Sequence, residues 1–335
     1  MSNPAVSVLM PVYNVEQYVG EAIESILKQN FSDFEFIIIN DGSTDKTLQV
    51  INSYYDNRIR VFSNDKNAGI ARASNIGLVH ATGKYMMRME GDDISHPERL
   101  EKQYRFMENH SEIGICGTHM QLFGQQDSIS RCSMDDEEIK AGLIWSTTMN
   151  HGTIIMRLDP IRKNGFFYNE SFPMAEDWLF FYKVKDAMKF ANLDEVLYFY
   201  RKGEHNTTKK YSAKSWMINS HVHNIILKDF GFNFLEDELR LHQFILAQFS
   251  LSPTEEVVWQ ARQWLDKLIS YNRKVHVYQQ EVFEKIAEEK WNALFFRLVP
   301  YGFNVIRAYF SVTGISRNHL SYYLKCTLNK LVGKK

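Results

Sequence analysis

Apolar residues gather in short runs along the first part of the chain, and helical spacing fills the gaps. Val6–Met10, Phe34–Ile39, Ile59–Phe62 and Tyr85–Met89 are such runs. Runs of this length, ended by proline, glycine or polar residues, suit strands buried on both faces. Between them, Val15–Gln29 carries Val15, Val19, Ala22, Ile23, Ile26 and Leu27 on one helical face. Leu48–Tyr55 and Ile70–His80 predict further helices, and Pro97 stands where a helix opens. Repeated strand–helix units with short connections predict an α/β fold with a mostly parallel, Rossmann-like sheet covered on both sides. Ligands in such sheets lie at the carboxyl ends of strands. Tyr13-Asn14, Asp41 and Asp92-Asp93 all fall there.

From Ile113 to about Arg201 the pattern is mixed, with short strands expected near Ile113–Cys116, Thr153–Arg157 and Val196–Tyr200 and a helix over Met174–Lys185. Beyond Tyr211 the spacing is helical to the end. Gly203 and the polar stretch Glu204–Lys210 suggest a boundary near 205–215. The expected organisation is therefore an α/β domain over 1–210, with its pattern changing between 1–115 and 116–210, and a helical C-terminal region over 211–335.

Composition adds exclusions. The chain has 335 residues, 44% hydrophobic and 24% charged, an ordinary globular balance. A formal net charge of -1 gives no global field for nucleic acid. Charge is uneven, though: Lys290 to Lys335 holds eight Lys/Arg and no Asp/Glu, so an anionic partner such as a membrane surface would be met there. Three scattered cysteines argue against a disulfide framework and fit a reducing cytoplasm. The first residues lack a signal-peptide pattern, and no run approaches the roughly 20 apolar residues needed to span a bilayer. These features lead us to expect a cytoplasmic protein, soluble or peripheral at the membrane.

Five segments carry candidate chemistry. Met10-Pro11-Val12-Tyr13-Asn14 places an aromatic ring at a strand end, where it can stack on a base or simply edge the core. In Asn40-Asp41-Gly42-Ser43-Thr44-Asp45, Asp41 can accept from a base or ribose, while Asp45 can cap the next helix. In Asn67–Gly77, Gly69 permits close backbone approach and Arg72 can face phosphate, or the segment is only a tightly packed helix start. Glu90-Gly91-Asp92-Asp93 crowds three acids at a strand end. Their repulsion calls for a cation, and such carboxylates suit Mg²⁺ or Mn²⁺ with substrate phosphates. Glu176-Asp177-Trp178 sets two acids side by side where a helix N-terminus would favour them.

Together, in this order and at these distances, the segments resemble the family 2 inverting glycosyltransferases of the GT-A fold, over roughly residues 5–205. The resemblance implies a metal-dependent hexosyltransferase that takes a nucleotide-sugar, with uridine the favoured base, in bacterial cell-surface polysaccharide synthesis. It implies that 1–210 is the catalytic domain, 1–115 binding the nucleotide-sugar and 116–210 forming the acceptor side, and that Pro11, Tyr13, Asn14, Asp41, Gly69, Arg72 and Asp92 bind the donor. Asp92, Asp93 and His205 would hold Mn²⁺ or Mg²⁺, and Asp177 would be the base. Glu176, His151 and Trp178 would face a glycan or lipid-linked acceptor. Glu90 departs from the pattern, standing where Asp is commoner.

The basic, aromatic helices of the C-terminal third suit either an anionic membrane surface or a cap packed on the rest of the protein. A sugar-phosphate nucleotidyltransferase is a second reading, but Met10–Asn14 lacks the Gly-rich, Arg-bearing loop a triphosphate wants. A non-catalytic nucleotide-sugar-binding module is a third, although Asp92, Asp93 and Asp177 are all present. No G-x-G-x-x-G follows the first strand, which disfavours a dinucleotide dehydrogenase.

Overall fold

Seven consecutive buried residues, Val6–Val12, form strand β1. It pairs in parallel with β2 (Phe34–Asn40) on one side and with β4 (Tyr85–Arg88) on the other, while β3 (Ile59–Ser63) extends the sheet beyond β2. The computed structural model describes residues 3–172, 174–203 and 212–331. Connections between these parallel strands run through helices α1 (Val19–Leu27), α2 (Thr47–Ile51) and α3 (Ile70–His80). The strand order β3-β2-β1-β4 brings the ends of β1, β2 and β4 together at one edge.

The sheet continues beyond β4 with mixed polarity. β8 (Ile155–Arg157) pairs antiparallel with β4 and with β6 (Ile113–Gly124), and β9 (Lys189–Lys202) runs parallel to β6. β5 (Ile94–Ser95) closes that side against β9, and β7 (Ser128–Ser130) pairs with β6. Helices α4 (Arg99–Asn109), α5 (Asp136–Gly142), α6 (Leu158–Lys163) and α7 (Glu176–Val184) connect these strands. The expected fold class holds, with three corrections. β6 and β9 are much longer than their apolar runs, because each carries half-buried and exposed residues beyond its buried ones and pairs with the other along its length. The strand ending at Met10 continues through Pro11 to Val12. α7 begins at Glu176 because Met174 has a positive φ of 75°, which a helix cannot contain.

Val8, Met10, Phe36, Ile38, Met87 and Leu100 are fully buried in the core of this first unit. Each such side chain contributes about 1.5–3 kcal/mol of hydrophobic stabilisation. Small residues draw α3 close: a Cβ on Gly77 would lie 2.1 Å from Cδ1 of Leu9 in β1.

The chain divides into two compact units, Met1–Ile218 and Asn219–Lys335, and the division falls inside the helix Ser212–Asp229. The second unit is helical, with helices Glu236–Ile245, Glu255–Val275, Gln280–Leu298, Phe303–Thr313 and Arg317–Leu331. Its core is aromatic: Trp264, Trp291, Phe283, Phe295 and Tyr309 are almost wholly buried, and Trp291 stacks on Tyr309 at 5.2 Å. Among the described residues no helix is long and apolar enough to cross a membrane.

Candidate active site

The loops after β1 and β2 are sewn together by short polar side chains. Asn14 adopts φ 51°, and its Oδ1 accepts from the Thr44 N–H at 2.8 Å while its own N–H donates to Ser43 Oγ. Asn tolerates this left-handed conformation better than most residues. Asp45 accepts from the N–H of Thr47, the first residue of α2, and from that of Glu16. Tyr13 follows the end of β1 with 42% of its surface exposed. Pro11 is buried inside β1 and reaches no solvent-facing surface.

Asp41 is buried, and both its oxygens are engaged. Asn64 Nδ2 donates to Oδ1 at 2.7 Å, the Gly69 N–H to Oδ2 at 2.8 Å, and the Ala68 N–H is shared between them. The carboxylate thus anchors the loop that leads into α3. Gly69, the residue before α3, has φ 92° and open space where a side chain would be. Arg72 is exposed and makes no ion pair among the described residues.

The acidic strand end differs from its expected form. Arg88, fully buried in β4, donates from Nε and Nη2 to both oxygens of Glu90, at 2.8 and 3.1 Å, and from Nη1 to Ser74 Oγ on α3. The cation that offsets Glu90 is therefore one of the chain's own residues, held two positions away. Asp93, expected as a metal ligand, is fully buried: Tyr198 OH donates to one oxygen and the Arg201 N–H to the other, each at 2.8 Å. Burial and the charge of Asp92 push its carboxyl well above the usual range. Asp92 is half-buried, and its backbone carbonyl accepts from Arg201 Nε.

On the other flank, Glu176 and Asp177 open α7. A helix N-terminus favours acids by up to about 1 kcal/mol, but desolvation outweighs that here. Burial and then the Asp177 charge push Glu176 up to about 8, with Arg88 acting the other way. Burial, reinforced by Glu90, pushes Asp177 up to about 6 against the Trp178 N–H, which donates to Asp177 Oδ1 at 2.7 Å. Glu176 Oε2 is buried without a hydrogen-bond partner. His151 lies with Nδ1 3.9 Å from Glu90 and Nε2 2.9 Å from Tyr168 OH, and burial, helped by Arg88, holds it well below the usual imidazole range, hence neutral. Trp178 is buried and donates from its indole N–H to the Leu143 carbonyl, which makes it part of the wall behind the acids.

Glu90 thus lies within electrostatic reach of Asp93 on one side and of Glu176 and Asp177 on the other. Two acids with raised pKa values beside a neutral histidine and a buried guanidinium form a cluster suited to moving a proton. Sequence reasoning missed Arg88, Tyr168, Ser74 and Asn75. Asn75 grips the Tyr168 backbone through both its N–H and its carbonyl. One signal was available: a lone arginine in the apolar run Tyr85–Met89, since a buried charge needs a partner.

A divalent cation must find oxygens it can reach. Glu90 faces Arg88 and Asp93 is fully buried, whereas Asp92 is half-buried, so at this cluster a cation would fall to Asp92 together with substrate phosphates. Mg²⁺ and Mn²⁺ sites commonly use one or two carboxylates plus substrate phosphates, and the donor set fits such a site. Among the described residues no three His, Cys, Asp or Glu side chains form a ready-made metal group. His205 lies outside the described residues.

Comparison with known proteins agrees with this geometry. The model of the family described as "Glycosyl transferase family 2" matches residues 7–184. The putative glycosyltransferase EpsE of Bacillus subtilis is 38% identical over 207 residues, covering 59% of this chain and 73% of its own. The amylovoran biosynthesis glycosyltransferase AmsE of Erwinia amylovora is 26% identical over 248 residues, covering 72% and 85%. Residues 1–349 of Staphylococcus aureus TarS, solved with UDP-GlcNAc, share the fold with a TM-score of 0.58 at 20% identity, covering 86% of this chain and 90% of that one.

Proposed function

The chain belongs to glycosyl transferase family 2, and we propose that it moves a sugar from a UDP-sugar to a glycan or lipid-linked acceptor, with inversion, in cell-surface polysaccharide synthesis. The UDP-GlcNAc bound to TarS supports the donor class, and the role of AmsE in amylovoran biosynthesis supports the acceptor class. The observation that carries the reading is the pairing of Glu176 and Asp177 beside Glu90, itself neutralised by Arg88, at the carboxyl end of β4.

In this reading Asp177 is the base. A carboxyl with a pKa near 6 is ionised at neutral pH yet basic enough to take a hydroxyl proton in the transition state. Glu176, at about 8, stays protonated and offers a donor to an acceptor oxygen. The Trp178 N–H fixes the Asp177 carboxylate, and Tyr168 with neutral His151 lines the approach without adding a competing charge. Inversion follows from a single displacement with acceptor and leaving group on opposite faces of the sugar. Tyr13 would lie against the base, while Asp41 acts through the loop it anchors. Asp92 would hold a divalent cation, which supplies charge neutralisation for the departing diphosphate.

The test is donor turnover and binding across UDP-, GDP- and dTDP-sugars, with and without Mn²⁺. UDP-sugars are expected to be hydrolysed in its presence. Asp177→Asn is expected to keep donor affinity and lose about 10²–10⁴-fold in transfer rate. Undiminished transfer by that variant removes Asp177 as base, and indifference to every donor removes the enzyme reading.

A further inference from the structure

A cleft of about 710 Å³ lies within the second unit, between the loop after the helix Glu236–Ile245 and the end of the helix Gln280–Leu298. Its walls mix polar and apolar surface, with Phe249, Phe296 and Tyr301 among the apolar residues, and two cations line it, Lys290 and Arg297. Seven residues apart on one helix, those two fall on the same face. Neither has a salt-bridge partner among the described residues, whereas the nearby Glu288 is taken by Arg262. Burial holds the Lys290 amine below its ordinary range, opposed by the charge of Glu289. A partly desolvated cation beside apolar side chains is stabilised by an anion that brings its own apolar part.

The loop carries a second sign. The helix Glu236–Ile245 ends in a Schellman turn, with the Gln248 N–H donating to the Gln243 carbonyl and the Ala247 N–H to that of Phe244. Glycine is the usual residue at the left-handed position of this turn. Here it is Ala247, at φ 57°, and the residue lines the cleft. Strain of this kind persists only where the surrounding structure holds it, and it clusters at ligand sites.

We propose that this cleft binds an anionic membrane lipid, its acidic head group on Lys290 and Arg297 and the adjoining chain against Phe249 and Tyr301. The charge of the surrounding segment selects that occupant. From Lys290 to Lys335 there are eight Lys/Arg and no acid. A second copy of the same face would set like charges together. The helix Arg317–Leu331 of the same unit presents Leu320, Leu324 and Leu328, 37%, 51% and 59% exposed, an aliphatic stripe that a nucleic acid would leave in water. The inference rests on the membrane-facing part of the proposed function, a lipid-linked acceptor, and not on the identity of the sugar.

The experiment is co-sedimentation of the full chain with vesicles of phosphatidylcholine alone or with one-third phosphatidylglycerol. Binding is expected only to the anionic vesicles. Lys290→Gln with Arg297→Gln is expected to weaken it about 25-fold, roughly fivefold per cation removed. Arg317→Gln with Lys325→Gln, outside the cleft walls named above, serves as the comparison for general surface charge. Equal loss in both double variants, or none in the first, overturns the cleft while leaving membrane contact in place. No vesicle binding by the intact chain, or displacement by millimolar inorganic phosphate alone, overturns the lipid itself. UDP-sugar hydrolysis, measured on the same samples, reports separately on the transferase reading.

Discussion

Arg88 has no exposed surface, and its guanidinium is tied to Glu90 and Ser74. Removing one partner of a buried pair leaves an uncompensated charge, at a cost of about 3–5 kcal/mol. Arg88→Met is therefore expected to destabilise the protein by that amount in urea unfolding, and adding Glu90→Gln should recover part of the loss. A second prediction concerns the base. With Asp177 near 6, kcat/KM should rise tenfold per pH unit below about 6 and level off above it. Glu176 is protonated throughout that range, so Glu176→Gln should leave the limb where it is. A limb that moves by a full unit in this variant would show that the two acids share one proton. The acids and Tyr13 were legible as residue types. Their partners were not, because a hydrogen bond from Tyr198 to Asp93 joins residues 105 apart in sequence.

Turns decide how the elements hold the donor side. Gly42 has φ 68°, and a Cβ there would lie 2.5 Å from the Lys66 carbonyl carbon. Gly42→Ala should cost at least about 1–2 kcal/mol from the left-handed backbone alone. It should also push away the Asn64–Gly69 loop that Asp41 anchors, so donor affinity should fall together with stability, read by isothermal titration and by unfolding. Full donor affinity in a destabilised variant would separate the loop from donor binding. Ala247→Gly should act in the opposite sense, raising stability by up to about 1 kcal/mol by relieving the turn. The first strands and helices were readable because each buries a continuous run or one helical stripe. β6 and β9 were not, since their half-buried outer residues gain order only from pairing with each other. α5 was hidden by its polar sequence, although Asp135 caps it through the Glu137 and Glu138 N–H groups.

Over the whole molecule, burying acids makes stability depend on pH. Glu176 and Asp177 hold protons in the folded state that the unfolded chain has already released. Between about pH 4.5 and 8 the folded form binds more protons, so stability falls as pH rises. Without donor or metal, unfolding free energy should decline by about 1.4 kcal/mol per pH unit while one such group titrates. Glu176→Gln should flatten that slope, as denaturant titrations at pH 5, 6.5 and 8 would reveal.

By itself the sequence determined the parallel core and the polar residues that follow β1, β2 and β4, because apolar periodicity and turn chemistry are local. It also determined the basic run after Lys290. Only the tertiary structure decided what each acid meets. Glu90 is claimed by Arg88, Asp93 by Tyr198 and the Arg201 backbone, and Asp41 by its own loop. Whether a carboxylate meets a metal, a substrate or another residue depends on what packs against it from distant parts of the chain. That packing is the one quantity that spacing along the chain does not encode.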